Sequence, residues 1–249
     1  MIRAHLATFP PRAGILMQAV QSILPQVDRL FICLNGYDRV PEELGDLDKV
    51  QAMIPDTDLK DAGKFAFPVD DDDLVFTIDD DILFPPDYVA RTLTTLDRIG
   101  PDQNVVSHLG HAFVVKGATG RPGWKNYAFN RRVQHLFKVD LVGTGVACQL
   151  GRNLPGLDDM LGAAGFVDMR HARLHQIAGR RLWVHPHDEG EIVSLMTDEL
   201  YDGSLFKTVH LARHPGMRAE LQRLYPVLTP FSGLKWEKEQ KERTALSAG

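Results

Sequence analysis

Residues 74–89 read Leu74-Val75-Phe76-Thr77-Ile78-Asp79-Asp80-Asp81-Ile82-Leu83-Phe84-Pro85-Pro86-Asp87-Tyr88-Val89. The run 74–78, apolar but for one threonine and without a turn former, predicts a strand of the buried kind. Three consecutive aspartates end it. Pro85-Pro86 then opens a helix that carries Tyr88, Val89, Leu93, Leu96 and Ile99 on one side, since proline suits the first helical turn. Alternate side chains of an extended strand share a face, so Asp79 and Asp81 are expected to point one way, about 7 Å apart, and Asp80 the other. Ligands of open α/β sheets bind outside the carboxyl ends of the strands, where these carboxylates stand. Like charges gathered there repel, and a cation relieves the repulsion; oxygen-only ligands suit Mg2+ or Mn2+. The competing reading is a solvated acidic turn. The apolar strand before the triplet and the helix start after it favour the cation. The earlier run 70–73 has no apolar frame and reads as a solvated loop.

Outward from this stretch, the first hundred residues alternate strand and helix signals. Residues 2–8 form a strand running into Phe9-Pro10-Pro11. Ile15/Leu16, Ala19/Val20 and Ile23/Leu24 repeat every four residues, predicting an amphipathic helix that stops near Pro25. Residues 30–34, 50–54 and 105–106 are further strands. The pattern predicts an α/β fold with a mostly parallel sheet flanked by helices. In the second half, 120–126 reads as a flexible loop, 139–142 and 146–150 flank Gly143-Thr144-Gly145, 166–178 is a helix closed by Gly179, and 182–184 is a short strand. One domain over 1–234 is expected, with a charged tail at 235–249 that frays or lies on the surface as a helix.

The 249 residues are 44% apolar and 24% charged, which excludes a disordered or fibrous chain. Eight of the 33 acids lie between Asp70 and Asp87; removing them from a net charge of −5 leaves +3. A near-neutral chain with one anionic knot is the reverse of a nucleic-acid binder's basic stripe. The longest apolar runs are strand-sized, too short to span a bilayer. The opening residues run directly into a strand, so no secretory leader is expected. Cys33 and Cys148 each sit in an apolar run and read as buried thiols of a reducing, cytoplasmic protein.

Residues 75–82 with 85–89 resemble the metal-binding segment of GT-A glycosyltransferases of the family-2 type, particularly a bacterial group associated with surface and capsular polysaccharide. The opening Ala7-Thr8-Phe9-Pro10-Pro11-Arg12, then Ser22-Ile23-Leu24-Pro25-Gln26-Val27-Asp28 and Leu34-Asn35, is similar too. Asp58-Leu59-Lys60-Asp61-Ala62-Gly63-Lys64-Phe65 resembles the base-binding segment. The likeness spans roughly residues 2–190.

The resemblance implies a GT-A, Rossmann-like domain that takes a nucleotide-diphosphate sugar as donor and a glycan or lipid-linked glycan as acceptor. It implies that Asp81 ligates Mn2+ or Mg2+, which acts as a Lewis acid on the departing diphosphate. Asp79 and Asp80 would contact the nucleotide sugar, with Thr8, Phe9, Pro10 and Arg12 beside the nucleotide and Arg12 on a phosphate. Asn35, Asp61 and Lys64 are candidates for the base or ribose; a solvated Lys64 is the bland alternative. Gly143, Thr144 and Gly145 would line the donor sugar or the acceptor, or else form a plain strand bend. Asp168, near the start of a helix, matches the general base of inverting members, though the segment reads Val-Asp-Met where Glu-Asp is commoner. Asp168 could instead be a helix N-cap, and Asp158 and Asp159 are alternative bases. From His185-Pro186-His187, His187 is favoured as a further metal ligand. His171 and His175, spaced i, i+4 without a glutamate, read as a surface pair. Contact with a lipid-linked acceptor would be peripheral.

Two other functions compete. A sugar-phosphate nucleotidyltransferase shares the sheet and the metal, but normally has a glycine-rich loop after the first strand, where this chain has Phe-Pro-Pro-Arg-Ala-Gly. A glycan-binding module needs no aspartate triplet behind a core strand.

Overall fold

The computed structural model describes every residue except 117–120, 212–213, 229–231 and 248–249. Its strands are β1 (Ile2–Thr8), β2 (Arg29–Leu34), β3 (Val50–Met53), β4 (Leu74–Asp79), β5 (Ile82–Leu83), β6 (Asn104–Ser107), β7 (Gly110–Lys116), β8 (Arg121–Tyr127), β9 (Phe137–Val139), β10 (Leu141–Val142), β11 (Val146–Leu150), β12 (Arg181–Val184) and β13 (Val193–Ser194). Its α-helices are α1 (Ala13–Ile23), α2 (Glu42–Gly45), α3 (Tyr88–Ile99), α4 (Leu157–Leu161), α5 (Val167–Ile177), α6 (Asp198–Asp202), α7 (Pro215–Leu224) and α8 (Trp236–Ser247).

Eight strands form one sheet in the order β3-β2-β1-β4-β11-β6-β12-β9. Only β11 and β9 run against the rest, so the sheet is mostly parallel, as the alternating pattern predicts. Strand periodicity sorts its side chains into two layers. Ala4 and Leu6 of β1, Val106 of β6 and Trp183 of β12 pack into one core with Leu16, Val20 and Ile23 of α1 and Tyr88, Val89 and Leu96 of α3. Their neighbours Val105, Leu182 and Val184 face the other way, onto Met169 and Ala172 of α5. Both faces are therefore covered, which is why residues 30–34 of β2 and 74–78 of β4 read as near-continuous apolar runs.

The strand order reverses at β1. From β1 the chain passes through α1 to β2 on one side, while β4 adds on the other. In open α/β sheets the crevice for ligand forms at such a reversal, outside the carboxyl ends of the two strands. Here those ends are Thr8 and Asp79.

Several expectations are corrected. Of the segment 120–126 read as a flexible loop, residue 120 lies outside the described residues and the rest is strand β8, paired along its length with β7; its polar, glycine-containing sequence hid a strand that gains its order from cross-strand pairing. Asp73 is buried against the Arg3 guanidinium at 2.8 Å, so the solvated-loop reading suits only Asp70–Asp72. His171 and His175 are wholly buried with their ring centres 4.3 Å apart, not a surface pair, because α5 is sandwiched between the sheet and α7. Charged α8 is anchored at its start: Trp236 meets Trp183 edge-on at 5.2 Å and Glu239 is fully buried. Cys33 and Cys148 are free and buried, as expected.

Candidate active site

The crevice at the reversal is lined by charge. β4 ends at Asp79, and Asp80-Asp81 turn rather than continue the strand. The alternation drawn for an extended chain therefore fails: Arg12, at the end of the short 3-10 helix Pro10–Arg12 that follows β1, bonds Asp80 and also reaches Asp81 at 3.1 Å. Burial works against the Arg12 charge, but Asp80 and Asp81 outweigh it and hold the guanidinium protonated. Arg12 also lies over the Phe9 ring, 5.6 Å from its centre. Buried Thr8 completes this side, next to Asp80.

Asp79 turns to the opposite cation, Lys64, and bonds its ammonium. Lys64 is 3% exposed, which corrects the solvated alternative. Burial works against its charge, yet Asp79, then Asp61 and Asp168, outweigh it and raise its pKa. The segment that delivers it is a 3-10 helix, Lys60–Phe65, laid against β1 and β2. That contact needs Gly63, where a Cβ would stand 2.6 Å from Cys33 Sγ. Asn35 pins the segment's start: its Oδ1 accepts from Leu59 N at 2.8 Å and its Nδ2 donates to the Lys60 carbonyl at 3.1 Å. Its side chain is thus spent on backbone.

A residue that sequence reasoning missed holds the segment from below. His5 Nδ1 lies 2.9 Å from the Lys64 carbonyl, which can only accept, so the ring hydrogen is there; Nε2 then accepts from Arg3 Nε at 2.9 Å. Burial and then Arg3 push the His5 pKa down to about 3, consistent with a neutral ring. Its one signal was a histidine at the centre of strand β1, between Ala4 and Leu6.

Across the crevice lies Gly143-Thr144-Gly145, which joins β10 to β11. Asp79 N donates to the Gly145 carbonyl at 3.0 Å. A Cβ on Gly145 would fall 1.9 Å from Asp79 Oδ2, so this glycine is the space in which the carboxylate sits. Thr144 donates from both its backbone N–H (2.8 Å) and its hydroxyl (2.7 Å) to Asp168 Oδ1. Asp168 lies in the first turn of α5, whose N-cap is Phe166, so it is not the helix's N-cap. That end is instead met by Asp61, which accepts from Gly165 N and Val167 N. Burial pushes Asp61 up to about 6, with the Gly165 N–H opposing.

Five carboxylates, Asp61, Asp79, Asp80, Asp81 and Asp168, thus surround two cations. The surplus shows at Asp81, which burial and the neighbouring Asp79 push up to about 7. Oxygen donors with unrelieved negative charge fit a hard divalent cation. Among the described residues, however, no three His, Cys, Asp or Glu side chains converge as a ligand set. His187 is not brought to Asp81. Its Nδ1 faces the His185 carbonyl (2.8 Å) and its Nε2 the Ala128 carbonyl (3.2 Å). It lines, with His185 and Arg91, a separate cavity of about 580 Å³ beside α3. Among the described residues no helix is long and apolar enough to cross a membrane.

No protein-family model matches the sequence, and no curated protein matches it. Among solved structures, a 4-diphosphocytidyl-2C-methyl-D-erythritol synthase is similar at 11% identity and a TM-score of 0.47, over 80% of this chain and 95% of its own. A likeness that distant says nothing about activity.

Proposed function

We propose that the chain is a glycosyltransferase that moves a sugar from a nucleotide diphosphate to a hydroxyl of a glycan or glycolipid, inverting the anomeric centre. The observation that carries this reading is the pairing of two unlike carboxylate sites across one crevice: Asp79-Asp80-Asp81 on β4, and Asp168 held by Thr144 at the start of α5. Leaving-group chemistry and nucleophile activation need such separation.

In this reading Asp81 holds Mn2+ or Mg2+, a Lewis acid for the leaving diphosphate. Arg12 and Lys64 give up part of their pairing with the aspartates to take phosphate oxygens, a geometry that guanidinium in particular favours. Asp168 accepts the proton of the acceptor hydroxyl as that oxygen attacks the anomeric carbon. The two Thr144 donors engage only Oδ1, so Oδ2 is the atom that takes the proton.

Sugar-phosphate nucleotidyl transfer is the second reading, and the paired cations Arg12 and Lys64 favour it, since a triphosphate needs more positive charge than a diphosphate. Incubating the protein with UDP- and GDP-sugars plus Mn2+ separates the two. Release of nucleoside diphosphate supports glycosyl transfer; exchange of pyrophosphate into a nucleoside triphosphate supports the alternative. The variant Asp168→Asn is expected to bind donor as before and to lose transfer by about 10²–10⁴-fold. Undiminished turnover would remove Asp168 from the mechanism.

A further inference from the structure

The hairpin β7–β8 carries a feature that the crevice does not use. Its two faces differ in kind. Ala112, Val114 and Tyr127 turn inward onto the core beneath α5. The alternate positions turn the other way, and there the cross-strand partners are Phe113 with Trp124 and His111 with Asn126. Phe113 meets Trp124 at 5.5 Å and Tyr225, which follows α7, at 5.5 Å; Trp124 and Tyr225 lie 6.3 Å apart with their planes 34° from parallel. These rings are not sealed in a core: Tyr225 is 41% exposed, and Phe113 and Trp124 are half-buried. Next to them, His111 Nδ1 and Asn126 Oδ1 pair at 2.8 Å on the surface, leaving the Asn126 amide hydrogens free of that bond.

The strip also has a definite origin. Gly143 N donates to the Leu109 carbonyl at 3.0 Å, one residue before β7, and Gly145 of the same tripeptide cradles Asp79. Phe113 lies three strand residues beyond Gly110, about 10 Å along the strand from it, so the strip leads outward from the loop that lines the crevice. Half-exposed aromatic faces beside an amide and an imidazole offer stacking surface together with hydrogen-bonding groups. A pyranose presents the same pair of properties, an apolar C–H face and a rim of hydroxyls. An anionic ligand would want a cation here, but Lys125 stands on the opposite face of the hairpin, its ammonium 4.9 Å from the Tyr127 ring centre and 5.0 Å from that of Phe137.

We infer that the outer face of the β7–β8 hairpin, with Tyr225, is a carbohydrate subsite that holds a neutral sugar of the acceptor glycan one or two residues away from the reacting hydroxyl. This assignment rests on the glycosyl-transfer reading for its role, though sugar binding itself is measured separately. Trp124 and Tyr225 supply the ring faces, and Asn126 and His111 the polar contacts.

The test is calorimetric titration of the full chain with linear tetrasaccharides of glucose, galactose and N-acetylglucosamine, alongside titration with UDP and GDP in Mn2+. At least one tetrasaccharide is expected to bind. Trp124→Ala and Tyr225→Ala should each weaken it about tenfold, and Trp124→Phe should retain most of it. Nucleotide binding should be unchanged in all three. Tyr225, being on the surface, keeps the test valid if Trp124→Ala fails to fold. The inference is overturned if none of the tetrasaccharides binds the unaltered chain or if both alanine variants bind like it. It is likewise overturned if the variants lose nucleotide instead, which would give the rings to the base. Sugar binding without any Mn2+-dependent nucleotide binding would retain the subsite and remove the glycosyl-transfer role.

Discussion

Asp79 sits where it does because residue 145 has no side chain. Gly145→Ala would place a carbon 1.9 Å from Asp79 Oδ2, and the neighbour is held by Lys64, so the carboxylate must leave its place. Mn2+-dependent nucleotide binding is expected to fall at least about tenfold, a loss of roughly 1.4 kcal/mol, with the circular-dichroism spectrum intact. Unchanged binding would show that Asp79 does not face the ligand. Asp81 carries a second prediction. Burial and Asp79 raise its pKa to about 7, so below that pH its carboxyl keeps a proton that a divalent ion must displace. Mn2+ affinity should therefore drop as pH falls below 7, approaching about tenfold per unit, and level off above about pH 8. Paramagnetic titration across pH 5.5–8.5 reads this directly, and a flat profile would remove Asp81 from the cation. The triplet was legible as a cluster at a strand end. How its members divide between Arg12 and Lys64 was not, because the chain turns at Asp80 and the alternation of an extended strand stops applying.

At the scale of elements, strands with covered faces announce themselves: residues 30–34 of β2 and 74–78 of β4 are apolar runs broken by a single threonine, Thr77. Strand β8 did not, since Arg-Pro-Gly-Trp-Lys-Asn-Tyr has the composition of a loop and is ordered by its pairing with β7. Helix α5 was predicted, closed by Gly179, but its orientation was not. Two interactions far apart in sequence set it: Thr144 donating to Asp168 and Asp61 receiving the N–H groups of Gly165 and Val167. Asp61→Ala removes the second. Two backbone donors at the helix start lose their acceptor, which costs about 1–2 kcal/mol, as for a lost N-cap. For a chain of this length, a melting temperature roughly 2–8 °C lower is expected by differential scanning calorimetry. Asp61→Asn should recover part of it, since an amide oxygen still accepts. An asparagine variant as unstable as the alanine would mean that the charge of Asp61, rather than its acceptor oxygens, supports α5.

For the whole molecule, the question is where the folded body ends. Composition alone gave residues 235–249 as a charged appendage, since periodicity in a polar helix carries no burial signal. The structure attaches its first turns on the α3 side of the sheet: Lys138 N donates to the Leu234 carbonyl and Trp236 N to the Leu136 carbonyl, both at the edge strand β9 or just before it. Trp236 then covers Trp183, which is fully buried in β12. Removing α8 would open that indole, part of the core shared with α1 and α3, to water. Trp236→Ala isolates this contact. Because the ring is only half-buried, the loss should be near the lower end for a large-to-small change, about 2–3 kcal/mol, seen as a Tm lower by roughly 4–12 °C. Truncation after residue 234 should cost at least as much, since it also removes the buried Glu239. The crevice lies at β1 and β4, on the far side of β11 and β6 from this contact, so Mn2+-dependent nucleotide binding measured well below the melting temperature should stay within about twofold. A truncated chain that melts like the full one would mean that α8 is an independent appendage after all, and that Trp183 is shielded by α3 and the sheet alone.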